Sequence, residues 1–373
     1  MSLGNGGHCM KILLMGFSKL KYMPYVRFYL DNINRREHDV HILYWNRDQK
    51  PESLTDGEDL TFHEFSRYQQ DNVPISSKIP NFIRYRRFAK KLIRKEKFDF
   101  IIFLHSFPGV LLSKMLTRQY RDRYIYDYRD TTYERYGFFK RVVHKLVKYS
   151  HATFVSSDGF RPYLPESEES KIYTSHNFIK DSLLHRDDAK RHGIASDVIR
   201  ISYWGFIRDR RINRLMIDRL ANDPRFELHY YGREDGLSDG LKNYACQKNA
   251  SNVFFHGEYV PEDRYRFICE TDLIHNVFGD GNMKVAMSNR FYDSLIFRIP
   301  LLCMEGSVMG DRAKNAGVGF SYDPAKEDYA DAIYEYCTSL NRQKFDTACD
   351  AELDQILLEY QTGCQVIRHA VHY

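Results

Sequence analysis

The sequence predicts an α/β protein of two consecutive doubly wound parallel-sheet domains, and three observations lead there. Short apolar runs of strand length alternate with amphipathic segments almost from the first residues. The polar stretch DSLLHRDDAKRHGIASD interrupts that alternation once, after which it resumes. The closing segment around AELDQILLEYQ is helical in pattern yet has no strand of its own to cover. Alternating strands and helices imply crossover connections and parallel pairing. The expected organisation is a first domain over 10–180, a linker over 181–197, a second domain over 198–342 and a terminal helix over 343–373. In such sheets ligands bind beyond the carboxyl ends of the strands, so functional residues should follow strands directly.

Composition narrows the class. At 373 residues, two domains of ordinary size are the default. A net charge of +5 is too small to argue for nucleic acid. The seven cysteines form no CxxC pair, which points to a reducing, cytoplasmic setting and to no zinc site or other metal. The longest apolar runs, such as FDFIIFL, are far short of a membrane span.

In order, KILLMGF reads as a buried strand, and Val26, Tyr29, Leu30 and Ile33 keep helical spacing in the segment after it. DVHILYW is the next strand. A helix over about Phe82–Arg94 follows, then FDFIIFLH, a helix through GVLLSKML, YIYDYRD, another helix, ATFVSS and KIYTSHN. Beyond the linker, VIRISYWG, FELHYYG, VFFHG, DLIHNVF, PLLCM and VGFSY continue the rhythm.

The second domain holds the more specific chemistry. In ISYWGFIRDRRINRL a strand ends at Gly205, where a ligand can approach the backbone closely. Arg208, Arg210 and Arg211 then read either as a phosphate grip or as a solvated basic loop. Further on, Ser288 or Asn289 is a natural N-cap for the helix running to Phe297. The free amides of that helix start form an anion site. Arg290 in its first turn opposes the helix dipole by roughly 0.3–1 kcal/mol, a sign that a bound diphosphate would reverse. Asp293, one turn on, either pairs with Arg290 or accepts hydrogen bonds from sugar hydroxyls. A GxGxxG fingerprint is missing after the first strand of either domain, which counts against an NAD enzyme and leaves no cofactor expected.

In the first domain His105 ends a strand, where it would bond a substrate hydroxyl, act as acid–base, or serve structure alone. Asp127 and Asp130 end the next strand, as acceptor-positioning carboxylates or, for Asp130, as a cap of a helix beginning at Thr131 and Thr132. The segment IRYRRFAKKLIRKEK is densely basic with apolar residues interleaved. It reads as a sheet-covering surface helix or as a peripheral contact with an anionic membrane face.

The order of YDYRD, SHATFVSSDGF, YTSHNF, YWGFIRDRR, NVFFHGEYVPEDRYRFICETDLIHNVF and SNRFYDSLIFRIPLL resembles the GT-B glycosyltransferases, and within them the retaining GT4 family. The resemblance implies two Rossmann-like domains facing across a cleft, with the sugar nucleotide on the second, the acceptor on the first, and the terminal helix crossing back to the first. It implies a metal-independent, retaining hexosyltransfer from a nucleoside-diphosphate sugar, UDP- or GDP-linked, to a saccharide or lipid-linked saccharide in surface or capsular polysaccharide assembly. By that resemblance Asp293 contacts the ribose and Arg210 or Arg211 the diphosphate. Arg290 stands where some members carry a lysine, and His105 touches the donor sugar. One departure is Val285, which occupies the position of the family's first glutamate, while the second is shortened to Asp293. The alternatives are a non-catalytic sugar-nucleotide binder of the same fold and a GT-B sugar-nucleotide epimerase.

Overall fold

A computed structural model describes residues 9–52, 59–70, 73–187, 198–233, 239–279 and 281–371. They form two compact units: the chain up to His176 together with its end from Leu358, and Asn177–Leu357. Residues 188–197 of the expected linker lie outside the described residues; Lys180–His185 before them form a 3-10 turn.

The first unit is built on seven strands: β1 (Lys11–Met15), β2 (Asp39–Asn46), β3 (Leu60–Ser66), β4 (Phe100–Phe103), β5 (Tyr124–Tyr128), β6 (Ala152–Val155) and β7 (Ile172–Thr174). Their order is β3-β2-β1-β4-β5-β6-β7, every pair parallel. The second has six: β8 (Ile199–Trp204), β9 (Phe226–Tyr231), β10 (Val253–Gly257), β11 (Leu273–Asn276), β12 (Leu301–Cys303) and β13 (Gly319–Ser321). They run β10-β9-β8-β11-β12-β13, again all parallel. In both sheets the chain works outward from a central strand and then starts again on its other side. The order therefore reverses between β1 and β4 and between β8 and β11, where such sheets open a ligand crevice.

The central strands are buried along their whole length, as expected of parallel strands covered on both faces. The terminal helix, Arg342–Val371, serves two cores with its two halves. Phe345, Cys349, Leu353 and Ile356 join the core of the second unit, and Cys364, Ile367 and Ala370 that of the first.

Three local expectations are corrected. β3 was not anticipated, because an edge strand with one buried side chain, Phe65, carries little apolar signal. The helix expected through Ile33 ends at Leu30, where the Asn32 side chain takes the Phe28 carbonyl at 2.8 Å and competes with helical continuation. The helix after β5 begins at Gly137 rather than near Thr131, so Asp130 caps nothing.

Candidate functional site

The crevice of the second sheet opens where β8 ends at Trp204 and β11 at Asn276. Gly205 follows β8 at φ +106°, a conformation glycine adopts without strain. Its N–H donates to the Tyr231 carbonyl at 3.0 Å. The strand ends here are packed so closely that a Cβ on Gly232 would lie 1.8 Å from the Gly205 oxygen.

The helix Asn289–Phe297 starts directly at this point. Ser288 occupies the N-cap position, but its hydroxyl makes no capping bond to the helix amides. Instead it donates to the Asn276 Oδ1 at 2.8 Å. Asn289 receives the amide of Asn177 at 3.0 Å. The Phe291 N–H donates to the Ser288 carbonyl at 3.1 Å, and among the described residues the N–H groups of Asn289 and Arg290 are left for another acceptor.

Arg290 is buried, 6% exposed. Its Nε donates to Asn276 Oδ1 at 3.2 Å and its Nη1 to the Trp204 carbonyl, so one guanidinium joins the ends of β8 and β11. It lies 3.9 Å above the Tyr203 ring and 5.2 Å from Phe278. Among the described residues no carboxylate lies within ion-pair distance of it. Asn276 is itself fixed, its amide donating to the Met309 sulfur at 2.8 Å.

Asp293 answers neither expectation made for it. It does not pair with Arg290, and at 2% exposure it is not presented to a sugar or a ribose. Trp204 Nε1 donates to its Oδ2 at 2.9 Å, and Arg264 Nη1 lies 3.6 Å from its Oδ1. Burial pushes the carboxyl above its ordinary range; Arg264, the Trp204 bond and Arg290 pull it back. Arg264, also buried, donates to Ser182. Among the described residues, two guanidinium groups and one carboxylate therefore lie buried here, leaving one positive charge without a carboxylate at ion-pair distance. Asp293 acts on the crevice through Trp204, whose carbonyl receives Arg290.

Beyond Gly205, Asp209 sits at φ +57° and caps the helix Arg210–Leu220 by accepting the Ile212 N–H at 3.2 Å. Its other oxygen takes the Gly279 N–H at 2.7 Å, tying the loop after β8 to the loop after β11. Asn213 holds the carbonyls of Arg208 and Asp209 at 2.5 and 2.9 Å. Behind it stands His275, whose Nδ1 accepts the Val277 N–H at 3.2 Å, so that its Nε2–H donates to Asn213 at 3.0 Å. Burial, and then Arg290, push this histidine down to about 3; it is neutral. Arg208, Arg210 and Arg211 are all exposed. Arg208 and Arg233 flank the Phe206 ring at 5.2 and 5.6 Å, while the Arg210 guanidinium packs against Gly240 and that of Arg211 against Gly279.

In the first unit, His105 and Asp130 are brought together, with Nε2 3.5 Å from Oδ2. His105 caps the helix Ser106–Gln119, its Nδ1 accepting the Phe107 N–H at 3.2 Å. The neutral ring therefore carries its hydrogen on Nε2, toward Asp130, and offers a donor rather than a base. Asp127 is corrected: it is fully buried, with Oδ2 2.8 Å from Arg129 Nε, and presents nothing to an acceptor. His176 is buried against Glu359 at 2.7 Å.

Sequence reasoning missed Asn276, Trp204, His275, Asn213, Arg233 and Arg264. The signal for two of them was present: His275 and Asn276 are polar residues in the apolar run DLIHNVF, where a buried polar group demands a partner.

No protein-family model matches the chain, and no curated protein matches it in sequence. Its likeness is to solved structures. HepE from Anabaena, crystallised with UDP, superposes with a TM-score of 0.66 at 13% identity, over 95% of this chain and 98% of that one. A glycosyltransferase from Rickettsia africae gives 0.64 at 13% identity over 97% and 99%. A putative UDP-N-acetylglucosamine 2-epimerase from Listeria monocytogenes gives 0.56 at 10% identity over 91% of each chain. The chain has the GT-B fold. It shares with these proteins two Rossmann-like parallel-sheet units, the arrangement expected above.

Proposed function

We propose that the protein is a GT-B glycosyltransferase that moves a sugar from a nucleoside-diphosphate sugar to a saccharide or lipid-linked saccharide of surface polysaccharide assembly. The observation that carries this reading is the buried Arg290, without a carboxylate among the described residues, at an uncapped helix start in the β8/β11 crevice. A buried charge with no partner is costly, and a diphosphate would supply the partner. HepE was crystallised with UDP, so UDP is the first nucleotide to test.

In this reading the β-phosphate meets the amides of Asn289 and Arg290, and the guanidinium behind them. Arg208, Arg210, Arg211 and Arg233 ring the approach. Negative charge grows on the diphosphate as the glycosidic bond breaks, and positive groups already in place lower the barrier to that separation. His105 offers its Nε2–H to a sugar hydroxyl in competition with Asp130. Retention of configuration and independence from metal follow from the resemblance to the GT4 family.

A second reading, a sugar-nucleotide binder without turnover, is favoured by one observation. Val285 has no group to stabilise charge, and Asp293 is enclosed. Incubation with UDP-hexoses, with and without a saccharide acceptor, separates the possibilities. Acceptor-dependent UDP release supports transfer. Binding without release supports the silent binder, and interconversion of the hexose without acceptor supports an epimerase.

A further inference from the structure

The outer ladder of the second sheet carries a line of polar side chains that the nucleotide reading leaves unused. On β9, Glu227 and His229 stand two residues apart on one face, and Glu227 accepts from His229 Nε2 at 3.2 Å. That bond keeps the ring hydrogen on Nε2 and leaves Nδ1 as an acceptor. His256 of the edge strand β10 donates to it, Nε2 to Nδ1, at 2.9 Å. The two rings lie 7° from parallel with centroids 5.2 Å apart, which is the nitrogen separation plus a ring radius at each end. They therefore meet nitrogen to nitrogen in one plane, with a single proton between them. His229 is buried and His256 exposed.

The arrangement recurs in the first unit. Asp39 lies 3.0 Å from His41 Nε2 on β2, and His41 Nδ1 meets Nε2 of His63 on the edge strand β3 at 2.7 Å. Those rings are again 7° from parallel, with centroids 5.0 Å apart. In both sheets the inner strand supplies a carboxylate and a histidine two residues apart, and the edge strand supplies the second histidine. A line built twice from the same parts is a feature of the fold, not an accident of one surface.

Among the described residues, the charged groups facing His229 and His256 are Glu227, Arg200 of β8, and Glu270 and Arg266 from the helix Arg264–Cys269 and its end. Arg200 is itself held by Glu227 at 3.2 Å and Glu270 at 3.4 Å. A first proton adds to His256 Nδ1 and leaves the inter-ring bond intact. A second has only His229 Nδ1, where it turns the acceptor into a donor and sets two cations head to head. Burial, then His256 and Arg200, hold His229 below the ordinary histidine value against the pull of Glu227. Burial, then Arg200 and Arg266, lower His256 against Glu270. The folded pair thus binds fewer protons than the unfolded chain, and its contribution is complete above about pH 6.5 and lost as pH falls.

The bond reaches the crevice through the backbone. His256 lies where the β9–β10 register shifts, between Phe255 and Gly257. Gly257, at φ +78°, accepts the Gly232 N–H at 2.7 Å, and Gly232 is the residue pressed against Gly205. We propose that the His229–His256 bond is an acid-sensitive catch on the nucleotide crevice. Intact, it holds β10 and the Gly257–Gly232 contact in the binding arrangement; broken by the second proton, it frees them and nucleotide binding weakens. The proposal rests on the reading of this crevice as a nucleotide site.

The test uses the full chain with nitrogen-15-labelled histidine, as wild type and as His256→Gln. Glutamine donates to a neutral His229 and, by turning its amide, accepts from a protonated one, so the variant should be blind to acid. The wild type should show scalar coupling across the inter-ring hydrogen bond at about pH 7.5 and lose it by about pH 5. Over that interval amide exchange at Gly232 of the ligand-free wild type, corrected for its intrinsic pH dependence, should rise about tenfold relative to the variant. Calorimetry should find UDP bound equally by both proteins at the higher pH, and about tenfold more weakly by the wild type at the lower. The nucleotide's own protonation is common to both. Coupling that persists in acid, Gly232 exchange alike in the two proteins, or a ratio of UDP affinities that does not change with pH would each overturn the proposal and leave the nucleotide reading standing. No UDP binding to either protein at the higher pH would instead overturn the nucleotide reading, and the proposal with it.

Discussion

Each unit buries an arginine at the carboxyl ends of its strands, but the two burials differ in what accompanies the charge. Arg129, after β5, lies 3.9 Å over Tyr25, donates to Ser175 at 2.7 Å and pairs with the equally buried Asp127. Arg290 likewise lies 3.9 Å over a tyrosine, Tyr203, and donates to Asn276 and Trp204, but among the described residues no carboxylate lies at ion-pair distance from it. Its neighbour Asp293 is committed to Arg264 and Trp204. A buried arginine with its own aspartate is complete and belongs to structure. One that meets only neutral acceptors keeps its charge available to a ligand.

Substitution should break this comparison most visibly in stability. Arg129→Leu leaves Asp127 buried and unpaired and should cost about 3–5 kcal/mol in denaturant unfolding. Arg290→Leu removes an uncompensated charge along with its two hydrogen bonds and should leave the ligand-free protein within about 1 kcal/mol of wild type. Equal losses in the two variants would mean that both arginines are structural.

The next effect is one of pH. The folded protein holds His275 neutral, at about 3, against about 6.5 in an unfolded chain. The folded state therefore binds fewer protons, and the contribution is complete above about pH 6.5 and lost as pH falls toward 3. Between pH 7.5 and 5 the loss should be on the order of 2 kcal/mol. His275→Gln, which keeps a donor for Asn213, should unfold with a correspondingly shallower pH dependence. Melts of the two proteins at both pH values check this, since the remaining histidines are common to both.

The smallest effect sharpens the reading of the helix start. Ser288→Ala removes one of two donors to Asn276 and should weaken UDP binding about fivefold, or ~1 kcal/mol, by calorimetry. Stability should change little, because the hydroxyl caps no helix amide. A large drop in melting temperature would show that it does cap the helix.

Much of the architecture was legible because continuous apolar strands such as KILLM and FIIF can only be central and parallel. β3 was not, because its residues alternate and mostly face solvent. At the site, the N-cap position of Ser288 and the first-turn arginine were readable from local rules. Their partners were not: Trp204 lies 86 residues from Arg290, and Arg264 comes from a separate helix. The i,i+3 spacing of Arg290 and Asp293 suggested a pair that the tertiary fold overrides, sending the two side chains to different neighbours. Asp127 misled for the same reason, since a strand-end carboxylate reads alike whether it faces the crevice or Arg129.

The central claim is that Arg290 keeps its charge for a nucleotide diphosphate. Calorimetric titration of UDP into wild type and Arg290→Leu, with both confirmed folded, tests it most directly. Saturable binding by the wild type, weakened about a hundredfold (~3 kcal/mol) in the variant, is the predicted result. UDP binding of equal strength in the two proteins would contradict it, and Arg290 would then be a structural tie between β8 and β11.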